Sequence, residues 1–186
     1  MHRMSFQWDA PRRQSSPGAP LWNAPVEAVR MDPMPKPLVR DVVATDFPGW
    51  KVLWDGYNAF YGRSGPTALA PAVTESTWRR ILDPDEPVHG LVAERDGRLV
   101  GLAHYLFHRT TNAIGPLCYL QDLFTDEAQR RGGVGRALIE RVGERAKAAG
   151  AVRVYWQTHE SNATARALYD RIARNSGFLV YRMTLD

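Results

Sequence analysis

Between residues 129 and 138 the chain reads Gln-Arg-Arg-Gly-Gly-Val-Gly-Arg-Ala-Leu, with Gly132, Gly133 and Gly135 set among Arg130, Arg131 and Arg136. Glycines at a helix start let backbone N–H groups approach an anion with no side chain in the way. The helix N-terminus adds partial positive charge, and the arginines add formal charge. The chemistry suggested is a cradle for phosphate or pyrophosphate. Two such cradles fail on spacing. A P-loop requires Lys-Ser/Thr after its last glycine, which is missing here. A dinucleotide fingerprint requires a third glycine, where this chain has Leu138. A glycine-rich helix start that holds no ligand remains as the alternative.

Other side chains could move protons or hold an amine. His104 and His108 share one face of an expected strand, and His159 ends another, three residues before Asn162. A histidine titrates near neutrality and makes a workable base, although each of these reads more readily as structural. His104 and His108 are four residues apart, but on an expected strand and not on one face of a helix, so no metal site is expected. The stretch 46–61 carries Trp50, Leu53, Trp54, Tyr57, Phe60 and Tyr61 near helical spacing. Such a stripe usually packs on a sheet. Trp54, Tyr57 and Tyr61 can also hold an alkyl ammonium by cation–π contact. Strand alternation over 117–125 puts Tyr119, Gln121 and Leu123 on one face and Leu120, Asp122 and Phe124 on the other, so Asp122 is expected to point away from Gln121.

These groups need elements to position them. Strands are expected at 38–43, 88–95, 99–108, 117–125, 151–158 and 178–184, with Asp96-Gly97 as a hairpin turn. Helices are expected at 46–61 (Asp46 as N-cap), 74–82, 133–149 and 161–173. The result is an α/β domain, an α+β mixed sheet with an antiparallel front half and a βαβ crossover from 117 to 158. Residues 1–37 hold seven of the 13 prolines and no sustained period. They read as a proline-rich irregular N-terminal arm ahead of a domain at 38–186.

The run Arg130-x-x-Gly133-x-Gly135, after a strand ending Leu123-Phe124-Thr125, resembles the acyl-CoA pyrophosphate loop of the GNAT acetyltransferase superfamily. Asn162, Ala165, Leu168 and Tyr169, then Gly177-Phe178, resemble that superfamily's next motif. Tyr119-Leu-Gln-Asp-Leu-Phe124 and Trp156-Gln-Thr-His-Glu-Ser-Asn162 look most like the Hpa-type histone and amino-acid acetyltransferases and the polyamine acetyltransferases.

The resemblance implies the GNAT acyl-CoA N-acyltransferase fold, a central, mostly antiparallel sheet splayed between strands 117–125 and 151–158. Acetyl-CoA would lie in that wedge. Backbone groups around Leu123, Phe124 and Thr125 would bond the pantetheine arm, and the loop from Arg130 through Arg131, Gly132, Gly133, Val134 and Gly135 to Arg136 would hold the pyrophosphate. Asn162 and Tyr169 stand two helical turns apart; Asn162 would bond the pantetheine and Tyr169 would protonate the leaving thiolate. Relatives of the polyamine type often carry Glu at the position matching Gln121, and an amide cannot take a proton. Gln121 would therefore orient a water or the substrate, and the base stays unassigned, with His104 as one candidate. Helix 46–61, through Trp54, Tyr57 and Tyr61, would wall the acceptor groove. The segment from Tyr169 to Gly177-Phe178 is longer than in many members.

The expected function is acetyl transfer from acetyl-CoA to a primary amine: a polyamine, an amino acid, a small amine or a peptide lysine. A catalytically silent acyl-CoA-binding or sensor module is the alternative. Composition narrows the rest. The 186 residues carry 24 Lys+Arg against 20 Asp+Glu, and only Lys36, Lys51 and Lys147 of the 24 are lysine. The basic residues are scattered, without the concentrated footprint of a nucleic-acid protein. The single cysteine, Cys118, excludes an internal disulfide. No apolar run reaches membrane-spanning length, and the first residues have no signal-peptide pattern. These point to a cytoplasmic protein with neither nucleic acid nor membrane as partner, and the resemblance adds a homodimer or larger homo-oligomer.

Overall fold

In a computed structural model of the protein, the described residues are 35–185, so the arm expected at 1–37 lies almost wholly outside them. The chain order is β1 (Leu38–Asp41), α1 (Phe47–Phe60), α2 (Pro71–Leu82), β2 (Val88–Arg95), β3 (Arg98–His108), β4 (Leu117–Thr125), α3 (Val134–Ala148), β5 (Arg153–Tyr155) and α4 (Ala163–Ile172). The five strands stand in the sheet in sequence order. The first four pair antiparallel, and β4 and β5 pair parallel across the α3 crossover.

Both faces of this sheet are covered, which is why β2 and β3 read as nearly unbroken apolar runs. On one face Trp50, Leu53, Trp54 and Tyr57 of α1 and Ile81 of α2 pack on Val92 and Leu102. On the other, Val134, Leu138, Ile139, Val142 and Ala146 of α3 pack on Leu91, Ala93, Ala103, Tyr105, Cys118 and Leu120. Each such side chain, fully buried, contributes about 1.5–3 kcal/mol. At the start of α3 the approach leaves no room for a side chain on β3. A Cβ on Gly101 would stand 2.7 Å from Val134 Cγ1 and 2.9 Å from the Phe124 carbonyl oxygen.

Several expectations from the sequence change in the structure. Asp46 precedes α1 but its side chain does not cap it. It closes a 3-10 turn, Ala44–Asp46, by accepting from the Val43 N–H at 2.9 Å, and Arg40 grips both carboxylate oxygens at 2.7 and 2.9 Å. Hydrogen bonding from that guanidinium holds the Asp46 carboxyl below the usual carboxylate range. The strand expected at 151–158 pairs only over Arg153–Tyr155. The strand expected at 178–184 pairs with nothing among the described residues, and Phe178, Leu179, Val180 and Tyr181 are exposed. An alternating apolar pattern gives a segment a face to bury but does not supply the neighbour that a ladder needs.

The faces of β4 also differ from simple alternation. His104 stands opposite Asp122 but Tyr105 stands opposite Leu120, which leaves Gln121 as an extra, unpaired residue. Such a bulge shifts the period by one. Cys118, Leu120 and Leu123 therefore all pack toward α3, whereas Phe124 packs toward α1 and Asp122 meets Tyr57 of that helix.

Gly101→Ala should cost about 1–3 kcal/mol, read as a lower urea midpoint, because one obstructing atom is backbone. The Asp46 carboxyl titrates lower folded than unfolded, so its contribution is complete above the unfolded value near 4 and is lost as pH falls through the folded value. The stability gap between the wild type and Asp46→Asn should accordingly narrow between pH 7 and pH 3.

Candidate active site

The sheet opens where parallel pairing stops. β4 meets β5 only at Leu117–Arg153, Cys118–Val154 and Tyr119–Tyr155. On its other side β4 stays paired with β3 as far as Thr125–Gly101. Residues 120–125 therefore present an edge that no described strand covers, and these include Leu123, Phe124 and Thr125. The chain beyond Tyr155 turns toward α4, where Trp156 meets the Tyr169 ring edge-on at 5.3 Å.

The glycine loop lies at the far end of that open edge. Arg131 (φ 65°) and Gly133 (φ 80°) both take left-handed backbone, and nothing would lie within 4 Å of a Cβ on Gly133. No side chain among the described residues caps α3. Its first backbone bond runs from the Ala137 N–H to the Gly133 carbonyl at 3.0 Å, so the N–H groups of Val134, Gly135 and Arg136 are the unpaired donors of a helix start. Left-handed turns beside such donors make anion-binding concavities.

Of the three arginines, Arg130 is held by Glu127 and Arg136 by Glu140, each at 2.7 Å. Arg131 is exposed and has no ion pair among the described residues. A residue that motif reading missed orders the loop from behind. Buried Arg95, at the end of β2, donates to Gln129 Oε1 and to the Gly132 carbonyl, both at 2.8 Å. Its only sequence signal is a charge ending an apolar strand.

Across the opening, Asn162 caps α4 by accepting from the Ala165 N–H at 3.2 Å. A cavity of about 420 Å³ is lined by Asn162, His159 and Ser161 together with Phe60 and Tyr61 from the end of α1. His159 Nδ1 is 2.6 Å from the Ser161 hydroxyl. The Tyr169 hydroxyl is pushed up to about 12 by burial, with Tyr61 adding to the shift.

His104 is 2% exposed and both its ring nitrogens are engaged. The Trp50 indole N–H donates to Nε2 at 2.9 Å, and Nδ1 stands 3.0 Å from Asp122 Oδ2. An indole can only donate, so the proton lies on Nδ1 and is given to Asp122. His104 therefore positions Asp122 and has no nitrogen left for a substrate. His108 is similarly engaged, with Nδ1 on the Arg109 carbonyl at 2.8 Å and Nε2 on the Tyr155 hydroxyl at 2.9 Å. The Tyr57 hydroxyl bonds Asp122 from the α1 side; burial first, then that carboxylate, raises its pKa well above the ordinary phenol value. Trp54 is buried with its indole on Thr74 at 3.2 Å, so it belongs to the core and not to an open wall. Tyr61 is 45% exposed and faces the cavity, and Gln121 is exposed on the bulge. Cys118 is buried and its thiol is pushed up to about 11 by burial, a packing residue.

An open sheet edge, an uncapped glycine loop and a half-buried tyrosine across the gap define the class, and comparison with known proteins agrees. Residues 50–173 match the model of the acetyltransferase (GNAT) family. The chain is 34% identical over 147 residues to the D-amino-acid N-acetyltransferase HPA3 of Saccharomyces cerevisiae, covering 78% of this chain and 89% of that one. It is 27% identical over 104 residues to the thialysine N-epsilon-acetyltransferase of Caenorhabditis elegans, 53% of this chain and 64% of the other. The structure of AAC(6')-Iy in complex with a CoA bisubstrate analog superposes with a TM-score of 0.69 at 17% identity, covering 81% of this chain and 99% of that one. The protein belongs to the GNAT acetyltransferase family. It is an N-acetyltransferase that acts on amines and uses acetyl-CoA. Among the described residues no helix is long and apolar enough to cross a membrane.

The open cradle at Gly133, the free helix-start donors and exposed Arg131, which has no ion pair among the described residues, fit the pyrophosphate of that cofactor. Gly133→Val, forced into left-handed backbone, should raise the Kd for CoA about tenfold or more, measured by calorimetry. Arg95→Met should weaken CoA in the same direction by loosening the loop.

Proposed function

We propose that acetyl transfer to a primary amine takes place in the opening between β4 and β5, with Tyr169 as the acid. The observation that carries this reading is the uncovered edge of β4 at 120–125, which runs into an uncapped glycine loop at one end and faces Tyr169 across the gap. The backbone of Leu123, Phe124 and Thr125 would bond the pantetheine arm as a missing strand would. Amides from Val134 to Arg136, with Arg130 and Arg131, would receive the pyrophosphate, and the Asn162 amide, whose oxygen is spent on the cap, retains its N–H groups for the pantetheine. Bound there, acetyl-CoA supplies an activated acetyl group as a thioester.

The protein's own part is to manage protons. An alkyl ammonium has a reference pKa of about 10.4, so only on the order of one molecule in a thousand is neutral at pH 7. Asp122, held by His104 and Tyr57, places negative charge beside the groove and attracts the ammonium. The Gln121 amide, exposed on the bulge, orients a water that carries away the amine proton as nitrogen attacks the carbonyl carbon. Tyr169, whose hydroxyl sits near 12, keeps its proton at neutral pH and gives it to the sulfur as the carbon–sulfur bond breaks. Exposed Phe178, Leu179, Val180 and Tyr181 support the homo-oligomer that the resemblance implied. The residue pattern favours a cytoplasmic setting.

Thiol release from acetyl-CoA with a panel of amines checks the reaction. Tyr169→Phe should slow turnover by about 10²-fold across the neutral pH range, with little change in acetyl-CoA affinity. Unchanged rates would remove Tyr169 as the acid.

A further inference from the structure

The aromatic wall that the sequence offers to a substrate ammonium already holds a cation. Arg63, just past the turn that ends α1, lies with its guanidinium carbon 5.7 Å from the Tyr57 ring centre and 5.5 Å from that of Tyr61. Its placement is built from the core outward. Asn58 is 4% exposed and donates to the Trp54 carbonyl at 2.8 Å. The Asn58 side-chain oxygen in turn accepts the Arg63 ε N–H at 2.8 Å, and its carbonyl accepts the Arg63 backbone N–H at 2.9 Å. The two terminal guanidinium nitrogens have no hydrogen-bond or ion-pair partner among the described residues, and Arg63 is only half-buried.

A guanidinium anchored through Nε and stacked on two rings keeps its terminal N–H groups aimed and free, the geometry that receives a carboxylate. Buried Asp122 is bonded to the Tyr57 hydroxyl and acts electrostatically on Tyr61. Tyr61 continues this wall to the cavity lined by Asn162. A fixed cation at the surface and a fixed carboxylate buried behind Tyr57 therefore both act on this one pair of rings. A polyamine or another multiply cationic acceptor would meet Arg63 as a repulsion. A zwitterion satisfies both charges.

We infer that Arg63 reads the acceptor's carboxylate, and that the substrate is an amino acid with a free carboxylate close to the amine that is acetylated. This rests on the placement of the reaction in the opening beside β4. Arg63 is a specificity residue and takes no part in proton transfer.

The test compares free amino acids, their methyl esters and spermidine as acceptors for the wild type, Arg63→Ala and Arg63→Lys, with thermal unfolding to verify that each variant folds. For the wild type, kcat/KM should favour a free amino acid over its ester by about 10- to 100-fold. In Arg63→Ala that preference should collapse, mainly through KM, and Arg63→Lys should recover part of it. Binding of N-acetyl amino acids and of their methyl esters to the CoA-loaded protein, followed by calorimetry, gives a second readout that needs no turnover. Equal use of esters or spermidine by the wild type, or a carboxylate preference that survives in Arg63→Ala, overturns the inference and leaves the proposed site standing. Carboxylate-selective, Arg63-dependent binding in a protein that Tyr169→Phe does not slow would support the inference while refuting the proposed acid.

Discussion

The site depends on β4 having a partner along one edge for its whole length and along the other for only three residues. A strand edge without a neighbour carries unpaired N–H and C=O groups. Proteins usually cover or blunt such an edge, because it invites another chain. Here it lies in the cleft where β5 leaves the sheet, drawn off by the packing of Trp156 on Tyr169. The same departure carries α4 to the far side of the gap. One divergence thus opens the edge and supplies the wall opposite it.

The Gln121 bulge is the second consequence of building a site on a strand. One extra residue turns Asp122 and Phe124 toward α1 and Leu120 and Leu123 toward α3. A carboxylate that would otherwise face the α3 core instead meets His104, and through it Trp50. That buried chain of polar partners leaves none of its members open-handed, which is the condition for tolerating charge in a core. The aromatic stripe of α1 is divided by the same arrangement. Trp50 and Trp54 fill the core, Tyr57 touches the carboxylate, and Phe60 and Tyr61 are open to the cavity.

Much of this was legible in the residues. The span of β4 matches its expected range, and β2, β3, α1 and α3 fall within a residue or two, because their apolar period, turn residues and helix stops are local signals. The glycine loop was legible for the same reason, since its requirement is a backbone one met by glycines in consecutive positions. Illegible were the facts that require two distant segments. Arg95 lies more than thirty residues from the loop it holds. The engagement of both His104 nitrogens needs Trp50 from one element and Asp122 from another. The strand expected at 178–184 has a strand's pattern and no partner among the described residues.

The sequence by itself determined the α/β plan, the family, and the glycine loop proposed to receive the cofactor, because periodicity and glycine spacing express what each segment's own backbone can do. Only the tertiary structure decided which side chains face the reaction. It removed His104 and Trp54 from the open groove and set Arg63 on the tyrosines that the sequence offers to a substrate ammonium. The physical reason is that a face, a hydrogen-bond partner or a stacked cation belongs to a pair of residues, and one strand can invert its faces with a single unpaired residue.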